Sequence, residues 1–340
     1  MSRKSILRKY WLAISLATGV PAAVGALEYS EDVRRHNRRI EQREEERARR
    51  RTLEERMFNT IVKEYSLSPD SVCNHSQPLF RKGDDHFVVV HGSDSRKYFM
   101  EALKLDVGAW AGMARRLGYS IVEVCSDVHE KSYWEKAMSS LADSTTSGTR
   151  SGLFISSHGI PGDEVRLQFQ GGSEGRDSGH TRSSSSETVT ISTEEINKYL
   201  ARMEGEFEGF FDNCFALDDF VKGTQVDSSD KKTPSYWASH VKMGYFTMAV
   251  AYTMITENYS SSLKEVTYRM VIRDPSLPKE VLQLMEDNPE AFATMQIREH
   301  PDTVVAKVDS PALSEKVGNS YCVPRIGCFP VTGPFPVGYR

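Results

Sequence analysis

The sequence predicts an α/β protein of three layers, with a mostly parallel central sheet flanked by helices and a charged helical extension in front. Three observations carry this. Short β-branched or aromatic runs alternate with stretches whose apolar residues recur at helical spacing, the signature of parallel strands joined by right-handed crossovers. Charge is uneven over the 340 residues: the first 57 hold 14 Lys/Arg against 9 Asp/Glu, the remainder 29 against 38, which marks the N-terminus as an appended segment. With 39% hydrophobic and 26% charged residues the composition is globular, excluding a disordered, collagen-like or multi-span membrane chain. A formal net charge of −4 gives no ground for expecting a nucleic-acid partner.

The first ten residues carry four basic side chains and no acid, and an uncharged run follows from Trp11 to Leu27. Residues 1–27 are therefore read as a signal, anchor or targeting segment. Three forms stay open. Val24-Gly25-Ala26 offers small residues for a signal peptidase, the run reaches the lower length limit for an uncleaved anchor, and the acid-free, Arg- and Ser-bearing start suits a mitochondrial presequence. The expected location is membrane-associated or secretory, with mitochondrial as the alternative. Residues 28–75 form a charged helical stalk or linker, in which Glu and Arg support one another at i,i+4. Val33, Ile40, Ala48 and Leu53 are too few for a coiled coil. Residues 1–57 are the part expected to meet a membrane, through anionic headgroups.

Residues 76–300 are expected to form the main domain. Phe87 to Val90 is a short β-branched run suited to a strand buried on both faces. Phe99, Leu103, Trp110, Met113 and Leu117 then recur at helical spacing, with Gly118 where a C-terminal glycine belongs. Ile121 to Val124 is the second strand. Glu130 to Leu141, with Trp134, Ala137 and Leu141 on one side, is the second helix, and Gly152 to Ser157 is the third strand. Two shorter β-like runs follow, Val165–Phe169 and Thr188–Ile191, around a Gly- and Ser-rich hairpin tip. Thr193 opens a helix to about Met203. Phe207 to Phe211 is the next central strand, and Asp218 to Thr233 reads as a polar loop. Tyr245–Val250 and Leu263–Ile272 read as helices packing on the sheet. Residues 301–340 form a Pro- and Gly-rich tail expected to wrap the surface.

In an open parallel sheet, functional groups gather beyond the carboxyl ends of the strands. The third strand runs into Ser156-Ser157-His158-Gly159, and the next central strand into Asp212-Asn213-Cys214-Phe215-Ala216. If those strands are neighbours, His158 and Cys214 face one another across one rim. An imidazole beside a thiol can remove its proton and later protonate a leaving amine. Backbone N–H groups of Gly159 and Cys214 can stabilise an oxyanion. Of the five cysteines, none forms a Cys-x-x-Cys, so no structural metal is expected, and the odd count leaves a free thiol. A Cys322–Cys328 disulfide would require an oxidising compartment.

These two strand ends resemble those of the caspase-like cysteine peptidases, the group of caspases, metacaspases and paracaspases. There a hydrophobic strand ends in His-Gly, here His158-Gly159, and another in Asp-x-Cys, here Asp212-Asn213-Cys214. The separation of 56 residues agrees with the caspase spacing of about 50. Gly118-Tyr119 and Gly244-Tyr245-Phe246-Thr247 extend the resemblance over roughly residues 87–272, whereas Phe215-Ala216-Leu217 departs from the metacaspase pattern. The resemblance implies a three-layer caspase-like fold, a polypeptide substrate and a Cys214/His158 dyad. It also implies a basic P1 side chain held by Asp212, which can instead cap the strand end. His91, also at a strand end, is expected to line the substrate pocket, and Ser239 to lie on a substrate-binding edge. No cofactor is expected; calcium, held by Asp218, Asp219, Asp227 and Asp230, is the one ion considered. Self-cleavage is expected within Asp218–Thr233, after Lys222, Lys231 or Lys232. The alternative is a catalytically inactive relative serving as a membrane-tethered interaction module.

Overall fold

The Arg- and Glu-rich run forms one long helix, α1 (Ala22–Tyr65). Its side chains are exposed from Val33 to Arg49, as a helix carried by surface ion pairs requires. The chain divides into two units, Met1–Thr52 and Leu53–Arg340. Within the second, the last turns of α1 are amphipathic. Met57 and Ile61 are fully buried, with Leu53, Phe58 and Tyr65 packed around them, and Glu54 accepts a hydrogen bond from the Tyr245 hydroxyl at 3.1 Å. This stretch, read above with the stalk, supplies core.

The computed structural model describes residues 22–73, 80–93, 97–160, 164–167, 191–212, 224–227, 243–292, 295–299, 316–317, 320–323 and 327–330. Among them no helix is long and apolar enough to cross a membrane. Most of the Trp11–Leu27 run and the Gly/Ser-rich hairpin tip lie outside the described residues.

Strands β1 (His86–His91), β2 (Ser120–Cys125), β3 (Arg150–Ser156) and β7 (Glu206–Asp212) are the four expected from their apolar runs. They pair in parallel in the order β2-β1-β3-β7. Helix α2 (Lys97–Arg116) links β1 to β2. It ends in a Schellman turn: Gly118 takes φ +89°, its N–H donates to Arg115 C=O, and Tyr119 N–H donates to Ala114 C=O. Helix α3 (Lys131–Ser144) links β2 to β3.

Two elements differ from expectation. The polar Asp218–Thr233 segment contains a strand, β8 (Thr224–Asp227), parallel to β7 and antiparallel to β9 (Gln296–Glu299), so the sheet has six strands. Thr-Gln-Val-Asp has little apolar signal of its own, and its strand state comes from pairing on β7. The Pro- and Gly-rich tail is likewise not wholly irregular. It holds an antiparallel sheet of β10 (Lys316–Val317), β11 (Ser320–Val323) and β12 (Gly327–Pro330), whose register sets Cys322 opposite Cys328. A third small sheet joins β4 (His158–Ile160), β5 (Glu164–Arg166) and β6 (Ile191–Ser192). Thr193 opens α4 (Thr193–Leu200), as expected, and Ser192 caps it, its hydroxyl accepting from Glu195 N–H.

Alternate residues of the parallel strands enter two cores, one on each sheet face. Phe87, Val89, Phe154 and Phe210 pack with α2, the end of α1, α5 (Tyr245–Thr256), α6 (Leu263–Val271) and α7 (Lys279–Asp287); the short α8 (Pro289–Phe292) adds Phe292. Val88, Val90, Leu153, Ile155 and Phe211 pack with α3 and α4. Trp110 is the centre of the first core, stacked on Phe154 at 4.4 Å and donating its indole N–H to Thr247 Oγ1 at 3.1 Å. The result is the expected three-layer α/β architecture.

Candidate active site

Three neighbouring strands end level with one another. Register pairs His91 of β1 with Ser156 of β3, and Ser156 with Asp212 of β7. Two backbone bonds carry the line past the strands: Gly92 N–H donates to Ser156 C=O at 2.8 Å, and Ser157 N–H to Asp212 C=O at 3.2 Å. His158 follows Ser157 directly and starts β4, where Gly159 pairs with Val165. Cys214 lies two residues past Asp212, outside the described residues, as does Ser239. The two strands that had to be neighbours are neighbours, with their ends in register.

Asp212 is 4% exposed and sits on the α2 face of the sheet. There it meets a residue that sequence reasoning missed, Asp106 of α2, which is fully buried. Burial, reinforced by the Asp212 charge, pushes the Asp106 carboxyl well above the usual carboxylate range; bonds from Gly244 N–H at 2.9 Å and from Thr247 and Ser156 act the other way. A signal for Asp106 exists in the sequence, since it is the one acid in the apolar run Ala102–Trp110.

His91 does not line an open pocket: it is fully buried, because it shares the inward face of β1 with Phe87 and Val89. Its Nδ1 bonds to Gly92 C=O at 2.7 Å, while Nε2 faces Cys73 Sγ at 3.3 Å and Asp127 Oδ1 at 3.5 Å. Cys73 is joined to Cys125, the last residue of β2, by a disulfide. Of the four acids considered for calcium, Asp227 is in β8, opposite Phe211 and Gln296; Asp218, Asp219 and Asp230 lie outside the described residues, as do Lys222, Lys231 and Lys232.

No protein-family model matches the chain, and no curated protein matches it. Among solved structures, caspase-1 from Spodoptera frugiperda aligns at 10% identity and TM-score 0.37, covering 57% of this chain and 78% of that one. The Drosophila initiator caspase Dronc aligns at 11% identity and TM-score 0.36, covering 59% and 76%. A Geobacter sulfurreducens protein aligns at 13% identity and TM-score 0.37, covering 57% and 90%. Scores of this size do not assign the chain to a family.

Proposed function

We propose that the chain is a caspase-like cysteine endopeptidase using a Cys214/His158 dyad. One observation carries the reading: β3 and β7 are parallel neighbours whose ends pair Ser156 with Asp212, so the strands that precede His158 and Cys214 in the chain end side by side. In this reading His158 takes the Cys214 proton and the thiolate attacks the scissile carbonyl carbon. Backbone N–H groups of Gly159 and Cys214 bind the resulting oxyanion. His158 then protonates the leaving amine, and water, activated by the same imidazole, hydrolyses the thioester.

A basic P1 side chain is the preferred substrate feature. Two buried carboxyls, Asp106 and Asp212, sit together below the rim, and a guanidinium or ammonium between them would favour their ionised forms and pair with them. Residues 1–57 would hold the enzyme at a membrane surface, a reading supported by the basic start and the uncharged run behind it.

The test uses the full chain, wild type and Cys214→Ala, on peptides with Arg, Lys, Asp or Asn at P1, with and without calcium. Cleavage after Arg or Lys that vanishes in Cys214→Ala is the expected result. Cleavage after Asp or Asn keeps the dyad and removes the carboxylate pocket. Absence of turnover, with Cys214 alkylating at an ordinary thiol's rate, leaves a non-catalytic interaction module.

A further inference from the structure

Away from the dyad, four side chains from three segments converge where β1 and β2 end. They are Cys73 in the turn after α1, His91 ending β1, Cys125 ending β2 and Asp127 in the following turn. One ligand atom from each lies within 4.8 Å of all the others. Cys73, His91 and Cys125 are buried, and Asp127 is partly open to solvent.

The hydrogen bonding fixes what the histidine presents. Gly92 C=O can only accept, so Nδ1 carries the proton that bonds to it at 2.7 Å. Nε2 is therefore a lone pair, and it faces Cys73 Sγ and Asp127 Oδ1, two further electron-rich atoms. A cation among them turns this convergence into attraction. The supporting contacts are those that orient metal ligands. A backbone carbonyl holds the far side of the imidazole. Lys104 Nζ holds the other oxygen of Asp127 at 2.6 Å. Cys73 N–H donates to Glu123 Oε2 at 3.0 Å, and Arg115 holds Glu123 Oε1 at 3.2 Å. Cys73 itself sits at φ 72°, a left-handed backbone that a non-glycine residue keeps only where its surroundings hold it.

We propose that, with its cysteines reduced, the chain binds one zinc ion through Cys73 Sγ, His91 Nε2, Cys125 Sγ and Asp127, and that the Cys73–Cys125 disulfide is the oxidised, metal-free state of the same site. Two sulfurs, an imidazole and a carboxylate suit zinc among common divalent ions, and four protein ligands make a closed, structural site. Two thiolates and one carboxylate leave a single negative charge on the bound ion, which the Lys104 ammonium offsets. The switch balances with a small-molecule disulfide as oxidant. Its S–S bond breaks, the two protein thiolates form theirs, two small thiolates leave and Zn²⁺ is released unchanged in valence. The site holds the end of β1, whose next residue bonds β3 at Ser156, so zinc braces the rim from the side. None of this depends on the peptidase reading.

The experiment titrates the phosphine-reduced full chain with Co²⁺ and then Zn²⁺. The expected result is one equivalent of cobalt with a thiolate-to-cobalt charge-transfer band and tetrahedral d–d bands, displaced by zinc. Oxidised glutathione then releases the zinc as peptide mapping shows Cys73 joined to Cys125. Cys73→Ser and Cys125→Ser each weaken the charge-transfer band, Cys73→Ser/Cys125→Ser loses it, and Cys322→Ser/Cys328→Ser keeps it in full. Asp127→Asn, at the solvent side, keeps the native circular dichroism and binds at least tenfold more weakly, which preserves the test if the cysteine variants misfold. Absence of stoichiometric metal in the reduced chain, a band undiminished in Cys73→Ser or surviving in Cys73→Ser/Cys125→Ser, or unchanged affinity in Asp127→Asn overturns the proposal.

Discussion

Replacing Glu208 by Gln tests how the sheet tolerates a carboxyl in its middle. Glu208 is on β7, level with Gly152 on β3 and Thr224 on β8, and its Oε1 accepts the Tyr119 hydroxyl at 3.2 Å. Burial pushes the carboxyl from the usual 4.5 up to about 7, while the Tyr119 bond and the Lys264 and Arg150 charges only partly oppose it. The folded protein thus keeps a proton that the unfolded chain has already lost above 4.5. A raised acid favours folding at low pH, and that advantage disappears as pH climbs from 4.5 through 7. At about 1.4 kcal/mol per pH unit, the cost of ionising Glu208 in the fold by pH 8 is about 3 kcal/mol. Gln has the same shape, accepts the Tyr119 bond and never ionises. Glu208→Gln should therefore match wild type near pH 4.5 and exceed it by about 3 kcal/mol at pH 8. Urea midpoints followed by tryptophan fluorescence read this, since Trp110 and Trp134 are fully buried and an unchanged m-value lets midpoints be compared as stabilities. An identical difference at the two pH values, or a variant weaker than wild type at pH 8, would refute the reasoning.

Three further expectations use the same measurement. Gly205, at φ +73°, turns the chain into β7, and a methyl there would overlap the carbonyl oxygens of Thr146 and Thr149; Gly205→Ala should cost about 3 kcal/mol, combining left-handed strain with backbone overlap. Ser262 Oγ accepts from Glu265 N–H at 3.1 Å at the start of α6, so Ser262→Ala should cost about 1 kcal/mol, and no change in the urea midpoint would show that the cap contributes nothing. Burial and the Asp212 charge raise the Asp106 carboxyl in the fold, so wild-type stability should fall as pH rises above the ordinary carboxylate range. Asp106→Asn should flatten that fall, and a fall of unchanged steepness in the variant would show that Asp106 is not its source.

What the sequence revealed follows how local its causes are. Phe87–Val90, Ile121–Val124, Gly152–Ser157 and Phe207–Phe211 carry their own apolar signal, because each is buried on both faces. Gly118 is legible because only a left-handed residue closes α2 there. β8 was not, because its strand state depends on β7 and β9 rather than on Thr224–Asp227. Met57 and Ile61 were hidden by the Arg and Glu side chains that outnumber them on α1. Cys73 and Cys125 are 52 residues apart; the parallel register of β1 and β2 sets Cys125 beside His91, and Cys73 reaches them from the turn after α1, so no spacing announces the three together. At the rim, the strand ends were readable from His158 and Asp212; the placing of Asp106 beside Asp212 was not, since it depends on the rotation of α2 over the sheet.

The order of strands along the chain also has a temporal meaning. His158 and Cys214 are 56 residues apart in sequence, and the pairing that brings their strands together is non-local, with a loop to close before any contact is gained. A chain growing from its N-terminus completes β1, β2 and β3 well before β7 exists, and β9, which covers β8, emerges later still. During synthesis the histidine segment is therefore present without its partner. On the proposed reading the dyad does not exist until β7 pairs with β3, so a nascent chain that lacks β7 has no peptidase activity to restrain.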